Sequence, residues 1–130
     1  MMEEKFNFIV IDDSVLDCFI AEKMIKHTGK CAEVQSFTTA AEALDFIKKN
    51  IAEDGLITVV ILDVLMPVMS GFEFVEEFES LPMDLQNKYR IVALTSSMNK
   101  HDIEKISSYK TVTDLLDKPI TSEALSAFLE

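Results

Sequence analysis

A chain of 130 residues, 48% hydrophobic and 27% charged, holds one ordinary domain with a real core, and its composition excludes disorder. Its 23 acids against 12 bases give a formal charge of −11, which repels nucleic acid and anionic membrane, and no Lys/Arg run offsets it locally. No apolar run approaches the ~20 residues that cross a bilayer, and the acidic start "MMEEKFNF" is no secretory signal. The expected location is therefore cytoplasmic, with no direct nucleic-acid or membrane partner. Cys18 and Cys31 lack a C-x-x-C spacing and read as reduced packing residues.

The first element is "KFNFIVI" (5–11), a short apolar run that stops at Asp12 and Asp13 and reads as a buried strand. Ser14 then offers an N-cap, and Leu16, Ile20 and Met24 recur every four residues, with Phe19 and Ile25 widening the stripe. That helix closes near Thr28–Gly29. "AEVQSF" (32–37) reads as a shorter strand. In "TAAEALDFIKKN" (39–50), Thr39 with Glu42 three positions on forms a capping-box signature, and Leu44, Ile47 and Phe46 face inward. The most apolar run, "TVVILD" (58–63), ends in Asp63 and is followed by Pro67 and Gly71, the marks of a loop.

"GFEFVEEFESL" (71–81) reads as a helix with Phe74, Val75 and Phe78 inward. "YRIVALT" (89–95) is a further buried strand, and "NKHDIEKISSYK" (99–110) a helix with Ile103 and Ile106 inward. "TDLLDKP" (113–119) supplies a short last strand and "TSEALSAFLE" (121–130) the last helix. Strand–helix units in succession predict an α/β fold, a doubly wound parallel sheet with helices on both faces. Its working cleft lies at the carboxyl ends of the strands. The polar residues at those ends are Asp12, Asp13, Asp63, Thr95 and Lys118.

Each of them has a plain structural explanation. Asp12, Asp13, Thr95, Ser96 and Ser97 can cap helices, Asp63 can order its loop, and Lys118 can be a solvated charge. Their convergence on one edge carries more. Close carboxylates repel unless a cation or protons intervene. Hard oxygen ligands suit Mg²⁺, a lysine and a hydroxyl suit phosphoryl oxygens, and a rigidly held carboxylate can itself be the nucleophile.

The ordered set "IDDS", "ILDVLMPVMSG", "ALTSS" and "DKPI", spread over essentially the whole chain, closely resembles the receiver domain of two-component response regulators. The resemblance implies a CheY-like, flavodoxin-like fold of five parallel strands in the order 2-1-3-4-5 with five helices, one receiver domain spanning 1–130 with no output domain in this chain. It implies that Asp63 accepts a phosphoryl group from a sensor histidine kinase or a histidine phosphotransfer protein. The chain then signals to an unknown downstream protein by contact and is no enzyme beyond phosphorylating and dephosphorylating itself. Asp13 and Asp63 would ligate Mg²⁺ together with the backbone carbonyl of Leu65, and Asp12 would help through water. Thr95 and Ser96 would meet the phosphoryl oxygens and Lys118 would pair with the phosphate, beside a cis Lys118–Pro119 bond. One departure stands out: three positions before the lysine, where such receivers usually carry an aromatic, this sequence has Leu115. A haloacid-dehalogenase-type phosphatase shares the strand-end nucleophile but needs a second acid two positions later, where Leu65 stands. A degenerate receiver usually lacks an acid, the Thr or the Lys, and none is missing here.

Overall fold

The computed structural model describes residues 5–49, 55–66, 69–95 and 99–130, so Pro67, Ser96 and Ser97 lie outside the described residues. Five strands form one sheet: β1 (Phe6–Ile11), β2 (Cys31–Phe37), β3 (Thr58–Asp63), β4 (Tyr89–Thr95) and β5 (Val112–Asp117). All neighbouring pairs are parallel, in the order β2-β1-β3-β4-β5. This is the parallel sheet that the strand–helix pattern predicts, in the order that the family resemblance implies, and strand polarity follows position in it. Central β3 is buried at all six positions, whereas edge β2 has only exposed and half-buried residues.

Side chains alternate across the sheet and feed two separate cores. Ile9, Ile11, Val60, Leu62, Ile91 and Ala93 pack under α2 (Ala40–Lys49), α3 (Gly71–Phe78) and α5 (Lys100–Ser107). Phe8, Val10, Val59, Ile61, Val92 and Leu94 pack under α1 (Val15–His27) and α6 (Ser122–Leu129). The one element the sequence pattern did not announce is a single short turn of helix, α4 (Met83–Gln86), between α3 and β4. It has no buried residue, so it leaves no hydrophobic signature.

Two helix faces differ from their predicted ones. In α1 the predicted stripe splits: Ile25 is buried, with Cys18 and Ala21, and Ile20 and Met24 are half-buried, while Leu16 and Phe19 are 65% and 54% exposed and neighbouring Val15 is 73% exposed. The spacing of Cys18, Ala21 and Ile25 is as helical as that of the larger residues, and small side chains let α1 lie close on the sheet. Apolar periodicity alone could not choose between two adjoining stripes. In α5, Ile106 is fully buried but Ile103 is 36% exposed.

Helix entry is settled by local hydrogen bonds. Ser70 and Glu73 form a complete capping box at α3. At α2, the Glu42 N–H donates to Thr39 Oγ1 over 3.2 Å, but the Glu42 carboxylate accepts from the Thr39 hydroxyl at 2.9 Å. Gly29, at φ 73°, ends the turn after α1 in the left-handed region.

Gly71 is required for a different reason. Its N–H donates to Val64 O over 2.8 Å, and a Cβ built there would lie 2.6 Å from Val64 Cα. The first turn of α3 thus rests on the backbone immediately after Asp63. Gly71→Ala should cost about 1–3 kcal/mol through forced backbone shifts. Urea unfolding of the variant checks this, and a loss below about 0.5 kcal/mol, the level of ordinary surface substitutions, would contradict the contact.

Candidate functional site

The carboxyl edge gathers its acids through register. Ile11 pairs with Leu62, so the next residues, Asp12 and Asp63, stand side by side. One carboxylate oxygen each from Asp12, Asp13 and Asp63 lies within 4.8 Å of the others. Asp12 and Asp63 are 2% and 6% exposed, whereas Asp13 faces solvent.

Asp12 is fully engaged. Its Oδ1 accepts the Ser14 N–H at 2.9 Å, and its Oδ2 lies 2.8 Å from Lys118 Nζ. Its own N–H donates to Phe37 O over 3.1 Å, and its carbonyl accepts the Cys18 S–H at 3.3 Å. Burial pushes that thiol up to about 11, and the Asp12 charge adds to the shift. Cys18 is accordingly a protonated packing residue, and neither cysteine is in a disulfide.

Asp63 is less well compensated. Lys118 Nζ stands 3.4 Å from its Oδ2. Burial and then the neighbouring Asp12 charge raise its pKa from 3.8 to about 6, with Lys118 opposing and Asp13 adding a smaller push. Lys118 is raised too. Burial alone would lower it, but hydrogen bonds to Asp12 and Asp17 and the charge of Asp63 prevail.

Lys118 is held by its backbone as well: its N–H donates to Thr95 O over 3.0 Å, and the bond to Pro119 is cis. Its third carboxylate is Asp17, at 3.0 Å, on the first turn of α1. Sequence reading assigned Asp17 no part in the site. The signal was present in Ser14-x-x-Asp17, but an acid three residues after an N-cap reads first as a cap.

Thr95 ends β4, paired with Asp117. Its hydroxyl lies 3.4 Å from both Leu116 O and Asp117 Oδ1, long contacts that are easily given up. Leu65, two residues past Asp63, has an exposed side chain. Ser96 lies outside the described residues. Leu115 is half-buried against the core under α5 and, with Thr95 and Ile103, lines an open groove of about 540 Å³. Ile120 is 5% exposed and belongs to the core, whereas Pro119 is on the surface. No helix among the described residues is long and apolar enough to cross a membrane.

No curated protein is significantly similar to the chain. Among solved structures, the chain is 32% identical to a response regulator receiver protein from Dyadobacter fermentans DSM 18053, with a TM-score of 0.85 over 95% of this chain and 94% of that one. A two-component response regulator from Cytophaga hutchinsonii is 24% identical, with a TM-score of 0.86 over 98% and 96%. The receiver domain of a sensor histidine kinase from Pseudomonas aeruginosa PAO1, with a magnesium ion coordinated in its active-site cleft, is 18% identical, with a TM-score of 0.76 over 96% and 94%. The sequence model of the response regulator receiver domain matches residues 8–130. With a parallel sheet in this strand order and acids gathered at its carboxyl edge, the chain belongs to the response regulator receiver domains of two-component signalling.

Proposed function

We propose that this receiver takes a phosphoryl group onto Asp63 from a phosphohistidine of a sensor histidine kinase or a histidine phosphotransfer protein. The observation that carries the reading is an under-compensated Asp63 facing two further carboxylates and the Lys118 ammonium. An Asp63 oxygen attacks phosphorus, the P–N bond to the donor imidazole breaks, and the imidazole departs with the electron pair. Although burial and Asp12 raise its pKa to about 6, Asp63 is ionised at neutral pH, the form that attack needs. Lys118 is placed to pair with a phosphoryl oxygen, and Thr95 to exchange its long contacts on β5 for another. Ser96 is assigned beside them. Because the acceptor is the domain's own side chain, no separate substrate is turned over.

Mg²⁺ fits this site. The donors are hard oxygens grouped within 4.8 Å, and their mutual repulsion calls for a cation. Asp13, Asp63 and the Leu65 carbonyl would hold it directly and Asp12 through water. Bound there, it would neutralise charge on the group in transfer. The ion in the cleft of the Pseudomonas aeruginosa kinase receiver supports the assignment.

The donor has a surface to meet. Val15, Leu16 and Phe19 form an exposed apolar stripe on α1, which starts three residues after Asp12. Pro119 extends the same edge. A helical phosphodonor docking there would bring its histidine over Asp63. The phosphorylated domain then acts by contact with a downstream protein in the cytoplasm.

Three outcomes follow from this reading. Asp63→Asn should fold but take no phosphate from acetyl phosphate, and stoichiometric aspartyl phosphate in its mass spectrum would refute the assignment. Val15→Glu should slow transfer from a cognate phosphohistidine protein and leave acetyl phosphate labelling intact. Equal loss with both donors would place the defect in folding.

The third concerns pH in the metal-free protein. Asp63 titrates at about 6 when folded and at 3.8 when unfolded, so the folded state binds more protons between these values. Stability therefore falls as pH rises through this window, by up to about 3 kcal/mol for a shift of this size. Without divalent cation, Asp63→Asn should be the more stable protein at pH 7.5, and the gap should close by pH 4. Urea unfolding at both pH values measures it; no gap at pH 7.5 would mean that Lys118 compensates Asp63 fully.

A further inference from the structure

The start of α1 contains an acid that its own helix does not use. Ser14 caps α1 by accepting the Asp17 N–H at 3.2 Å, as Ser70 caps α3 by accepting the Glu73 N–H at 3.3 Å. At α3 the acid completes the box, Glu73 Oε1 accepting the Ser70 N–H at 3.1 Å. At α1 the equivalent N–H of Ser14 is already taken by Asp12 Oδ1. The Asp17 carboxylate is thereby released from capping, and it reaches Lys118 Nζ at 3.0 Å.

An ammonium has three protons to donate. Lys118 faces three carboxylates, Asp12 at 2.8 Å, Asp17 at 3.0 Å and Asp63 at 3.4 Å, so Asp63 is the most distant of its partners. Of these, Asp12 and Asp63 belong to the cation cluster and Asp17 does not. The Asp17 side chain is 38% exposed, against 3% for Asp12 and 8% for Asp63, so it is the partner most able to let go.

We propose that Asp17 is a positioning residue that holds Lys118 back toward α1, so that a phosphoryl group on Asp63 competes with Asp17 for the ammonium. The inference rests on Asp63 being the phosphoacceptor. Two effects of opposite sign follow. Asp17 neutralises Lys118 as seen from the cation cluster, and so favours Mg²⁺. It also draws Lys118 from the phosphoryl oxygens and adds negative charge nearby, and so disfavours the phosphorylated form. A residue that merely caps α1 would affect both ligands in the same direction.

The test compares wild type with Asp17→Asn and Asp17→Glu in the full chain. Mg²⁺ affinity is measured by NMR titration without phosphodonor, and beryllofluoride affinity at saturating Mg²⁺. The half-life of the acetyl phosphate-labelled form is followed in parallel. For Asp17→Asn the expected result is about two- to fivefold weaker Mg²⁺ binding and a similar gain for beryllofluoride, the range that partly exposed ion pairs support. The labelled form should also live longer. Asp17→Glu, which keeps the charge, should return both affinities toward wild type. Weakening of both ligands, or no change in either, overturns the proposal while leaving Asp63 as acceptor. Absence of wild-type labelling overturns the acceptor reading, and this one with it.

Discussion

Asp12 is the residue on which the carboxyl edge depends. A carboxylate removed from water costs several kcal/mol unless it is paired and its remaining lone pairs are filled. Asp12 meets both conditions through Lys118 and the Ser14 N–H, while its backbone binds Phe37 and Cys18. Two strands, the start of α1 and the β5–α6 connection therefore converge on one residue. The consequence falls on its neighbour. Lys118 lies closest to Asp12 and Asp17, so Asp63, on the next strand, keeps only a 3.4 Å contact and a proton affinity raised by burial and by Asp12. Compensating one acid fully leaves the other in need of a cation. The asymmetry separates a fully paired acid from an under-compensated one.

The parallel sheet was legible because β1, β3 and β4 are nearly continuous apolar runs, as burial on both faces demands, whereas its strand order came from the family resemblance. The acids were legible for the complementary reason: Asp12 and Asp63 interrupt such runs where a polar residue is costly. Helix faces were less readable. Leu16 and Phe19 are large hydrophobes of α1, and the apolar periodicity puts them inside, yet with Val15 they are exposed. They lie outside because the small Cys18 and Ala21 allow close packing. An exposed stripe of this kind resembles a core stripe until the position of the sheet is known.

Asp17 was hidden by a different ambiguity. Ser-x-x-acid is a local motif with a local explanation, and at α3 that explanation holds. What distinguishes α1 is a residue outside the motif, Asp12, which takes the N–H that the acid would otherwise have accepted. Sequence spacing describes contacts within a helix turn. It does not report that a strand end has displaced one of them.

Leu115 shows how the chemistry and its readout can separate in one domain. The acids and Lys118 are complete without reference to position 115. Yet the side chain that lines the groove beside Thr95 is a leucine where receivers usually carry an aromatic. Half-buried against the core, it retains apolar burial worth about 25 cal/mol per Å², which turning outward would forfeit. Were Thr95 to move toward a phosphoryl group on Asp63, as proposed, it would draw little on this residue and would instead give up two contacts of 3.4 Å that cost little to break. A ligand shifts a conformational equilibrium only by its differential free energy for the two states. On the proposed role of Asp17, that difference would come from the redistribution of Lys118 among Asp12, Asp17 and Asp63. The backbone bond from Lys118 N to Thr95 O ties the residue that bears the ammonium to the end of β4.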